Sequence, residues 1–299
     1  MNTLLGHCGF VTIVGRPNTG KSTLLNCILG QKISITSRKP QTTRTHLRGI
    51  KSDKDSQIIF IDTPGLQKKP GNLFNRYMNR EVFNALSNID LVIHVIEALS
   101  WDTCDENVYT HTGKLACPVI LAVNKVDRIK NKQELLPFIN ELNAKDFYKE
   151  IIPVSAKTGE NIKLLEETVK ELLPPGSAQF PEDQVTDRNE RYFAAEFIRE
   201  KLTRSLGDEL PYNISVTIDK FQDEQHIIKI SATIWVANGG QKKIVIGKDG
   251  TVLKKTGQSS RKDMESMFGK KVFLETWVKI KDKWTNSTQA LKQFGYDIY

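Results

Sequence analysis

The chain has 299 residues, of which 39% are hydrophobic and 26% are charged, and its formal net charge is +8. This length suggests two domains, each large enough to bury its own core. The composition excludes a disordered, collagen-like or disulfide-stapled protein, and the modest basic excess matters only where it is clustered.

The cysteines and the apolar runs indicate the cellular compartment. The four cysteines fit no zinc-binding spacing, and so few thiols in a chain of this length are typical of a reducing environment. The amino terminus lacks the basic and apolar regions of a signal peptide. No apolar run approaches the roughly 18 residues that a membrane span needs. These features predict a soluble, cytosolic protein.

Short apolar runs alternate with helical patterns through residue 173. Such alternation predicts βαβ units, and hence an α/β fold with a mostly parallel sheet and helices on both faces. The predicted strands are 11–14, 58–61, 91–96, 119–123 and 151–154, and the predicted helices include 22–29, 134–142 and 162–173.

A change of organisation follows residue 173. Residues 174–181 hold three prolines and cannot continue a helix or a strand. We therefore predict a first domain at 1–173, a linker at 174–188 and a second domain with a carboxyl-terminal tail at 189–299. In the second domain the pattern predicts the order α-β-β-α-α-β, with helices at about 189–206, 242–246 and 251–267 and strands at 213–221, 226–236 and 271–281.

Charge is unevenly distributed within this second domain. Residues 182–228 carry six basic and eleven acidic residues, whereas residues 229–292 carry fourteen basic and five acidic ones. The overall charge therefore hides a locally basic module. A solvated surface and a nucleic-acid-binding surface both remain open on charge alone.

The segment GRPNTGKS at 15–22 fits G-x-x-x-x-G-K-[ST] between a predicted strand and a predicted helix. The backbone N–H groups of such a loop surround phosphate oxygens. We expect Lys21 to bring positive charge to the β- and γ-phosphates and the Ser22 hydroxyl to bind Mg²⁺. The expected nucleotide contacts are Gly15, Arg16, Pro17, Asn18, Thr19, Gly20, Lys21, Ser22 and Thr23.

Three further motifs follow the carboxyl ends of predicted strands, where open α/β sheets bind ligands. Asp62 in D-x-x-G is expected to hold Mg²⁺ directly or through a water, and the Gly65 N–H can sense the γ-phosphate. The Asp127 carboxylate can accept from N1–H and the 2-amino group of guanine, whereas adenine offers neither donor. These motifs predict a site for GTP or GDP. The expected contacts are Asp62, Thr63, Pro64 and Gly65, then Asn124, Lys125 and Asp127, and finally Ser155, Ala156 and Lys157.

Two threonines lie in the segment KPQTTR at 39–44. A threonine in such a loop can complete the Mg²⁺ shell and order the loop only when γ-phosphate is present. We favour Thr43, although the pattern leaves Thr42 and an ordinary polar loop open. The chemistry indicated is phosphoryl transfer to water, with Lys21, Thr43, Asp62 and Gly65 as the residues expected to act on the phosphates.

The sequence GKDG at 247–250 forms a turn between two predicted helices. Glycines leave room for nucleic-acid phosphates to approach the backbone, and nearby lysines attract them whatever the sequence. The apolar residues 244–246 and Val252 are either the floor of a groove or ordinary core. Trp235, Trp277 and Trp284 could stack on bases, but strand aromatics usually pack inward, and we favour inward packing. The expected RNA contacts are Lys242, Lys243, Ile246, Gly247, Lys248, Asp249, Gly250, Lys254 and Lys255.

The motifs KPQTTR, DTPG, NKVD and SAK together resemble those of the Era family, bacterial GTPases of small-subunit ribosome assembly. The segments VIGKDG at 245–250 and SRKDMESMF at 260–268 resemble the KH domain of the same family. The resemblance covers nearly the whole chain and implies a P-loop NTPase G domain followed by an α+β type II KH domain. It also implies a cytoplasmic protein with peripheral association to the inner membrane and a target near the 3′ end of 16S ribosomal RNA.

Two residues depart from related patterns. Thr19 stands where valine is common in the family, which should not change phosphate contacts made by the backbone. Leu66 stands where Ras-like GTPases have a catalytic glutamine, although the family resemblance makes an apolar residue expected there. The resemblance therefore implies slow intrinsic turnover, with the attacking water positioned by another group.

The leading hypothesis is a monomeric GTPase that binds ribosomal RNA and times a step in 30S subunit maturation. An RNA chaperone whose GTP site contributes only stability is one alternative. Another is a GTPase in tRNA modification or at the membrane, with the carboxyl-terminal domain docking protein. A modification enzyme would need a redox or one-carbon site, for which the sequence has no motif. Comparing RNA affinity with GTP and with GDP separates the first two hypotheses.

Overall fold

The computed structural model describes residues 4–37, 39, 42–65, 71–207 and 210–296. These residues fall into two compact units. One comprises 4–36, 43–65 and 78–187, and the other comprises 188–296 with 71–77 and the described part of 37–42. Each unit has a main sheet of its own.

From residue 47 onward each helix of the first unit lies between two strands, largely as the sequence predicts, whereas two pairs of strands follow each other directly. The elements are β1 (Leu4–Leu5), β2 (His7–Val14), α1 (Lys21–Leu29), β3 (Leu47–Asp53), β4 (Ser56–Asp62), α2 (Leu73–Asn84), β5 (Leu91–Glu97), α3 (Thr103–Thr112), β6 (Val119–Asn124), α4 (Leu135–Asn143), β7 (Glu150–Pro153), α5 (Ile162–Leu172) and β8 (Gly176–Ser177).

The main sheet of the first unit has the strand order β3-β4-β2-β5-β6-β7. Strand β3 is antiparallel to β4, and the other neighbouring pairs are parallel. All six residues of β6 are buried, which is expected when helices cover both faces of a parallel sheet. The chain leaves β2 for one side of the sheet and later returns to its other side as β5, so a crevice opens at the carboxyl end of β2. The predicted α/β class is confirmed.

The segment predicted to lack regular structure contains a short strand. Gly176–Ser177 pair with Leu4–Leu5 in antiparallel orientation. Further along, the Val185 carbonyl accepts from the Ile50 N–H over 2.7 Å. The second bond occupies a backbone N–H that would otherwise be unpaired at the β3 edge of the main sheet. The prediction of a segment without elements was wrong because prolines end a strand but do not prevent edge pairing on either side of them.

Strand β3 and helices α2 and α3 are absent from the sequence-based prediction. Only Asp105, Val108 and Thr112 are buried in α3, so its apolar periodicity is weak. A capping box formed by Asp102 and Asp105 determines where this helix begins.

The second unit confirms the predicted order α-β-β-α-α-β and the α+β class. The elements are α6 (Glu190–Ser205), β9 (Ser215–Asp223), β10 (Ile227–Val236), α7 (Gly239–Ile246), α8 (Thr251–Phe268), β11 (Lys271–Ile280) and α9 (Thr288–Gln293). The strands lie in the order β11-β10-β9, with β10 parallel to β11 and antiparallel to β9. Two of the helices, α6 and α8, pack on each other and on the sheet.

Within the described residues, no helix is both long enough and apolar enough to cross a bilayer.

Candidate nucleotide and nucleic-acid sites

The loop 15–20 joins the carboxyl end of β2 to the amino terminus of α1. Gly20 has a φ of +99°, and a Cβ atom built on it would lie 2.4 Å from Asn124 Nδ2. Glycine is required there because the backbone is left-handed and a neighbouring side chain fills the space of a Cβ. This loop has the position and the geometry that a phosphate-binding loop needs.

Lys21 is buried at the start of α1. Its Nζ donates to the carbonyl oxygens of Gly15 and Arg16, each over 2.9 Å. Burial lowers the pKa of Lys21 to about 8, and the Asp62 carboxylate opposes that shift. The ammonium group is therefore held inside the loop, where phosphate oxygens would arrive.

Three oxygen-bearing side chains converge beside this loop. Ser22 Oγ donates to Asp62 Oδ2 over 2.8 Å, and Thr43 Oγ1 lies 2.9 Å from Ser22 Oγ and 3.3 Å from Asp62 Oδ2. Burial raises the pKa of the Asp62 carboxyl, and the hydrogen bond from Ser22 opposes the shift. Asp62 Oδ1 is buried without a hydrogen-bond partner. A buried, unpartnered carboxylate oxygen beside two hydroxyls is a hard-oxygen donor set, which fits Mg²⁺.

A third hydroxyl, absent from the sequence-based site, reaches the same carboxylate. Ser34 Oγ donates to Asp62 Oδ2 over 2.9 Å and is buried. Ser34 lies outside every nucleotide motif, so no sequence signal identified it. Among the described residues, no group of three His, Cys, Asp or Glu side chains could hold a metal, so a cation here would rely on hydroxyls and one carboxylate.

The remaining described residues of KPQTTR at 39–44 and of DTPG at 62–65 have different surroundings. Thr42 Oγ1 donates to the Lys39 carbonyl over 2.7 Å rather than reaching Asp62. Thr63 is buried and donates to the Ile13 carbonyl over 2.8 Å. Gly65 lies against the P-loop, where an added Cβ would be 2.8 Å from Pro17 Cγ. Leu66 and two residues of KPQTTR, Pro40 and Gln41, lie outside the described residues.

Asn124 connects the guanine motif to the P-loop. Its Nδ2 donates to the Thr19 carbonyl over 2.7 Å, and its Oδ1 accepts from the N–H groups of Lys125 and Ala156 at 2.8 and 3.0 Å. Asp127 is exposed, and its Oδ1 accepts from Ser155 Oγ over 2.7 Å. The structure thus brings the two motifs of the predicted base site, 124–127 and 155–157, together with each other and with the P-loop.

The turn at 247–250 connects α7 to α8, as predicted. Gly247 has a φ of +76°, and a Cβ atom there would lie 2.5 Å from Val252 Cγ2. Gly250, with a φ of +74°, has open space at the corresponding position. Asp249 also adopts a left-handed backbone, with a φ of +52°. This turn of three positive-φ residues joins the end of α7 directly to the start of α8.

Lysines and apolar side chains surround this turn unequally. Lys243, Lys248, Lys254 and Lys255 are exposed, whereas Lys242 is partly buried. Val245 is fully buried and belongs to the core, while Ile244 is 51% exposed. The apolar residues of α7 therefore divide between the core and the surface, and Ile246 is partly buried between these extremes.

The three tryptophans do not share one environment. Trp284 is fully buried, as predicted, and Trp235 is partly buried beside Phe294. Trp277 is 61% exposed, so the prediction of inward packing was wrong for this residue. Strand alternation is the reason: the helices cover only one face of this sheet, and Trp277 occupies the other.

A doubly wound sheet with a P-loop, a guanine motif and a carboxyl-terminal KH-type turn defines a GTPase joined to a KH domain. The family described as "50S ribosome-binding GTPase" matches residues 10–125, and the KH domain family matches residues 209–285. GTPase Era of Coxiella burnetii (strain Dugway 5J108-111) is 50% identical over 97% of this chain and 98% of its own length. GTPase Era of Ectopseudomonas mendocina is 49% identical over 98% of both chains.

Solved structures give the same result. A variant of Aquifex aeolicus Era bound to GDP and AlF₄⁻ has a TM-score of 0.94 and 37% identity, covering 98% of this chain and all of its own. Era in complex with MgGDPNP and nucleotides 1506–1542 of 16S ribosomal RNA also has a TM-score of 0.94, with 38% identity over 98% of this chain and 99% of its own. The chain belongs to the Era family of GTPases. It binds GTP and hydrolyses it to GDP and phosphate.

Proposed function

We propose that this GTPase binds 16S ribosomal RNA near its 3′ end and acts in assembly of the small (30S) ribosomal subunit. The observation that carries the proposal is the left-handed Gly247–Gly250 turn between two helices, with exposed lysines around it. A KH domain uses such a turn to hold a nucleic-acid backbone. The relative bound to nucleotides 1506–1542 of 16S ribosomal RNA supports the choice of RNA.

The nucleotide site has three parts in this proposal. The P-loop, residues 15–23, surrounds the phosphates, and Lys21 transfers its hydrogen bonds from loop carbonyls to phosphate oxygens. Asn124, Lys125 and Asp127 hold the guanine base together with residues 155–157, of which Lys157 is exposed. Thr63 and Pro64 support the turn that carries the Gly65 N–H to the γ-phosphate.

Ser22, Thr43 and Asp62 are proposed to hold Mg²⁺ beside the phosphates. The metal supplies positive charge that offsets the negative charge on the β- and γ-phosphate oxygens. Thr43 is favoured over Thr42 because its hydroxyl lies within 3.3 Å of Asp62, whereas the Thr42 hydroxyl is bonded to Lys39. Loss of γ-phosphate would then release the loop that carries Thr43.

The proposed RNA contacts are residues 246–250 and the lysines at 242, 243, 254 and 255. Support comes from exposure, since four of the five lysines at and around the turn are open to solvent. We also propose the domain bounds 1–173 for the G domain, 174–188 for the linker and 189–299 for the KH domain. Limited proteolysis that leaves fragments ending near these bounds would test them.

Peripheral association with the inner membrane and a monomeric state are finer parts of the proposal. Their support is the family resemblance and the basic character of residues 229–292. Membrane fractions washed with high salt should release the protein, and sedimentation should give the mass of one chain. A protein that stays with salt-washed membranes or sediments as a dimer would contradict these parts alone.

The experiment that tests the proposal compares RNA affinity in two nucleotide states. The full chain is titrated with an RNA of the 16S 3′ end, once with MgGDPNP and once with GDP. Tighter binding with MgGDPNP is expected if the GTPase cycle times RNA release. Equal affinity would favour the chaperone alternative, and sequencing of RNA crosslinked to the protein in cells would show whether 16S RNA is the target at all.

A further inference from the structure

The guanidinium of Arg16, the second residue of the P-loop, is held by the start of α3. Its Nη2 donates to Ser100 Oγ over 2.8 Å, and its Nη1 lies 3.3 Å from Asp102 Oδ2. Its Nε lies 3.0 Å from Asp105 Oδ2. A planar guanidinium with three separate partners has little freedom to turn. The P-loop is therefore anchored from behind by one short segment of chain.

Asp105 has an environment that helix capping alone does not require. Its Oδ2 accepts from the Asp102 N–H over 3.1 Å, and the residue is fully buried. A neutral amide would serve the same capping bond. Burying a carboxylate is costly unless a positive charge accompanies it, and Arg16 supplies that charge. The presence of a carboxylate at position 105 is thus explained by the ion pair with Arg16 rather than by the capping of α3.

The backbone of Arg16 connects the ion pair with Asp105 to the nucleotide site. The Arg16 carbonyl accepts from Lys21 Nζ over 2.9 Å and from Thr19 Oγ1 over 3.1 Å. A shift of Arg16 would therefore move a ligand of the P-loop lysine. Preorganised binding groups must be kept within a few tenths of an ångström by the residues behind them.

We propose that Asp105 is a positioning residue of the GTPase site, which holds Arg16 and thereby the P-loop conformation that receives the phosphates. The inference rests on the nucleotide site proposed above. Asp105 itself belongs to no GTP motif and is not among the residues expected to touch nucleotide.

The ionised form of Asp105 is expected to lower the stability of the protein while it supports nucleotide binding. Burial raises the pKa of the Asp105 carboxyl to about 6. The hydrogen bond from the Asp102 N–H and the charges of Arg16 and Lys21 oppose this rise, whereas the Asp102 charge adds to it. Tyr148 also lies near it: burial raises the pKa of that phenol, and the Asp105 charge adds to the rise. A raised carboxyl pKa means that the ionised form costs stability above pH 6, and that this cost disappears as pH falls from 6 toward 4. A carboxylate kept only for structure would not be expected to lower stability at neutral pH.

The test uses Asp105→Asn, Arg16→Ala and the double variant in the full chain, with Glu106→Gln as the matched control on the same helical turn. GDP affinity is measured with Mg²⁺ at pH 8 by calorimetry. We expect Asp105→Asn to weaken GDP binding about tenfold, as for directly coupled residues, and the double variant to bind no more weakly than Arg16→Ala alone. Glu106→Gln should stay within about twofold because the Glu106 carboxylate pairs with Trp101 and Lys145, whereas Arg16 pairs with Ser100, Asp102 and Asp105. Without nucleotide, Asp105→Asn should melt at or above the wild-type temperature.

A pH series gives the second readout. The ratio of wild-type to Asp105→Asn affinity should fall toward one between pH 8 and pH 5, because wild-type Asp105 then becomes neutral as well. Three results would overturn the proposal. The effects of the two substitutions on GDP affinity could add in the double variant, Asp105→Asn could bind GDP as tightly as the wild type or more tightly, or the affinity ratio could stay the same at every pH. If Asp105→Asn does not fold, Arg16→Lys replaces it, since a lysine cannot reach all three partners; full affinity in that variant would also overturn it. Lys21→Ala distinguishes failure of this proposal from failure of the proposed nucleotide site. Full GDP affinity in Lys21→Ala would contradict the nucleotide site itself.

Discussion

The side-chain amide of Asn124 donates a hydrogen bond to the backbone carbonyl of Thr19, 105 residues away in sequence, over 2.7 Å. The same side chain accepts from two N–H groups, one in the guanine motif at Lys125 and one at Ala156. One buried amide therefore connects the P-loop with both segments proposed to hold the base. We expect this connection to keep the proposed base site and the proposed phosphate site at a constant distance from each other.

Replacing Asn124 with Ala should weaken GTP and GDP binding together. Three hydrogen bonds to the backbone are lost, and buried groups left without partners cost about 1–3 kcal/mol each. We expect at least about a tenfold loss for both nucleotides, since 1.4 kcal/mol is tenfold. Calorimetric titration with each nucleotide measures the loss of affinity. Asn131→Ala, which removes one exposed capping hydrogen bond, is the control. A loss confined to GTP would contradict the connection.

Replacing Asp127 with Asn should change base specificity rather than stability. The amide exchanges an acceptor for a donor, which suits the 2-oxo group of xanthine and not the 2-amino group of guanine. We expect loss of GTP binding and gain of xanthosine triphosphate binding, measured by competition for the same site. Since Asp127 is exposed, the melting temperature of the variant protein should differ little from that of the wild type. Unchanged GTP affinity would contradict the assignment of the base site.

Replacing Lys21 with Met should stabilise the nucleotide-free protein at neutral pH while abolishing tight GTP binding. The pKa of Lys21 falls to about 8 on folding, from 10.5, chiefly through burial. The buried charge therefore costs stability below pH 8, and this cost disappears as pH rises from 8 to 10.5. We expect a melting temperature about 2–4 °C higher at pH 7, with the difference shrinking by pH 10. A lower melting temperature at pH 7 would mean that the bonds to Gly15 and Arg16 outweigh the cost of burial.

Patterns in the sequence predict those features that depend on local chemistry. The four nucleotide motifs, of which the P-loop is one, and the order of elements in the KH domain each have a local signature of glycines, polar residues or apolar periodicity. Ser34 and Asp105 have no such signature, because each meets its partner only through the tertiary fold. Helix α3 escaped prediction for a related reason, since one of its three buried residues is a carboxylate. Trp277 shows that strand alternation does not tell which face of a sheet is covered.

Replacing Thr43 with Ala should raise the Mg²⁺ concentration needed for tight GTP binding. The Thr43 hydroxyl lies 2.9 Å from Ser22 Oγ and 3.3 Å from Asp62, so its loss removes one of the oxygen donors proposed for the metal. Thr42→Ala is the matched control, because Thr42 donates to the Lys39 carbonyl instead. GTP titrations at graded Mg²⁺ should shift for Thr43→Ala and not for Thr42→Ala. Equal shifts in the two variants would leave no reason to prefer Thr43.

Gly250 allows the charge of the turn at 247–250, which is proposed to bind RNA, to be changed with little change of shape. A Cβ atom there meets open space, and the φ of +74° is one that Asn and Asp tolerate better than other residues. Asp and Asn differ little in size, so Gly250→Asp and Gly250→Asn differ mainly in one negative charge.

We expect Gly250→Asp to weaken binding to RNA of the 16S 3′ end more than about tenfold and Gly250→Asn to weaken it much less, because only the former repels phosphates. Neutralising Lys254 and Lys255 should instead weaken binding to all RNA sequences alike and flatten its salt dependence, by up to about 0.7 for each lost phosphate contact on a single strand. GTP hydrolysis without RNA should persist in every variant, since the nucleotide motifs precede residue 158. Full RNA affinity in a folded Gly250→Asp protein would contradict the proposed role of the turn, and the basic residues of 229–292 would then be a solvated surface.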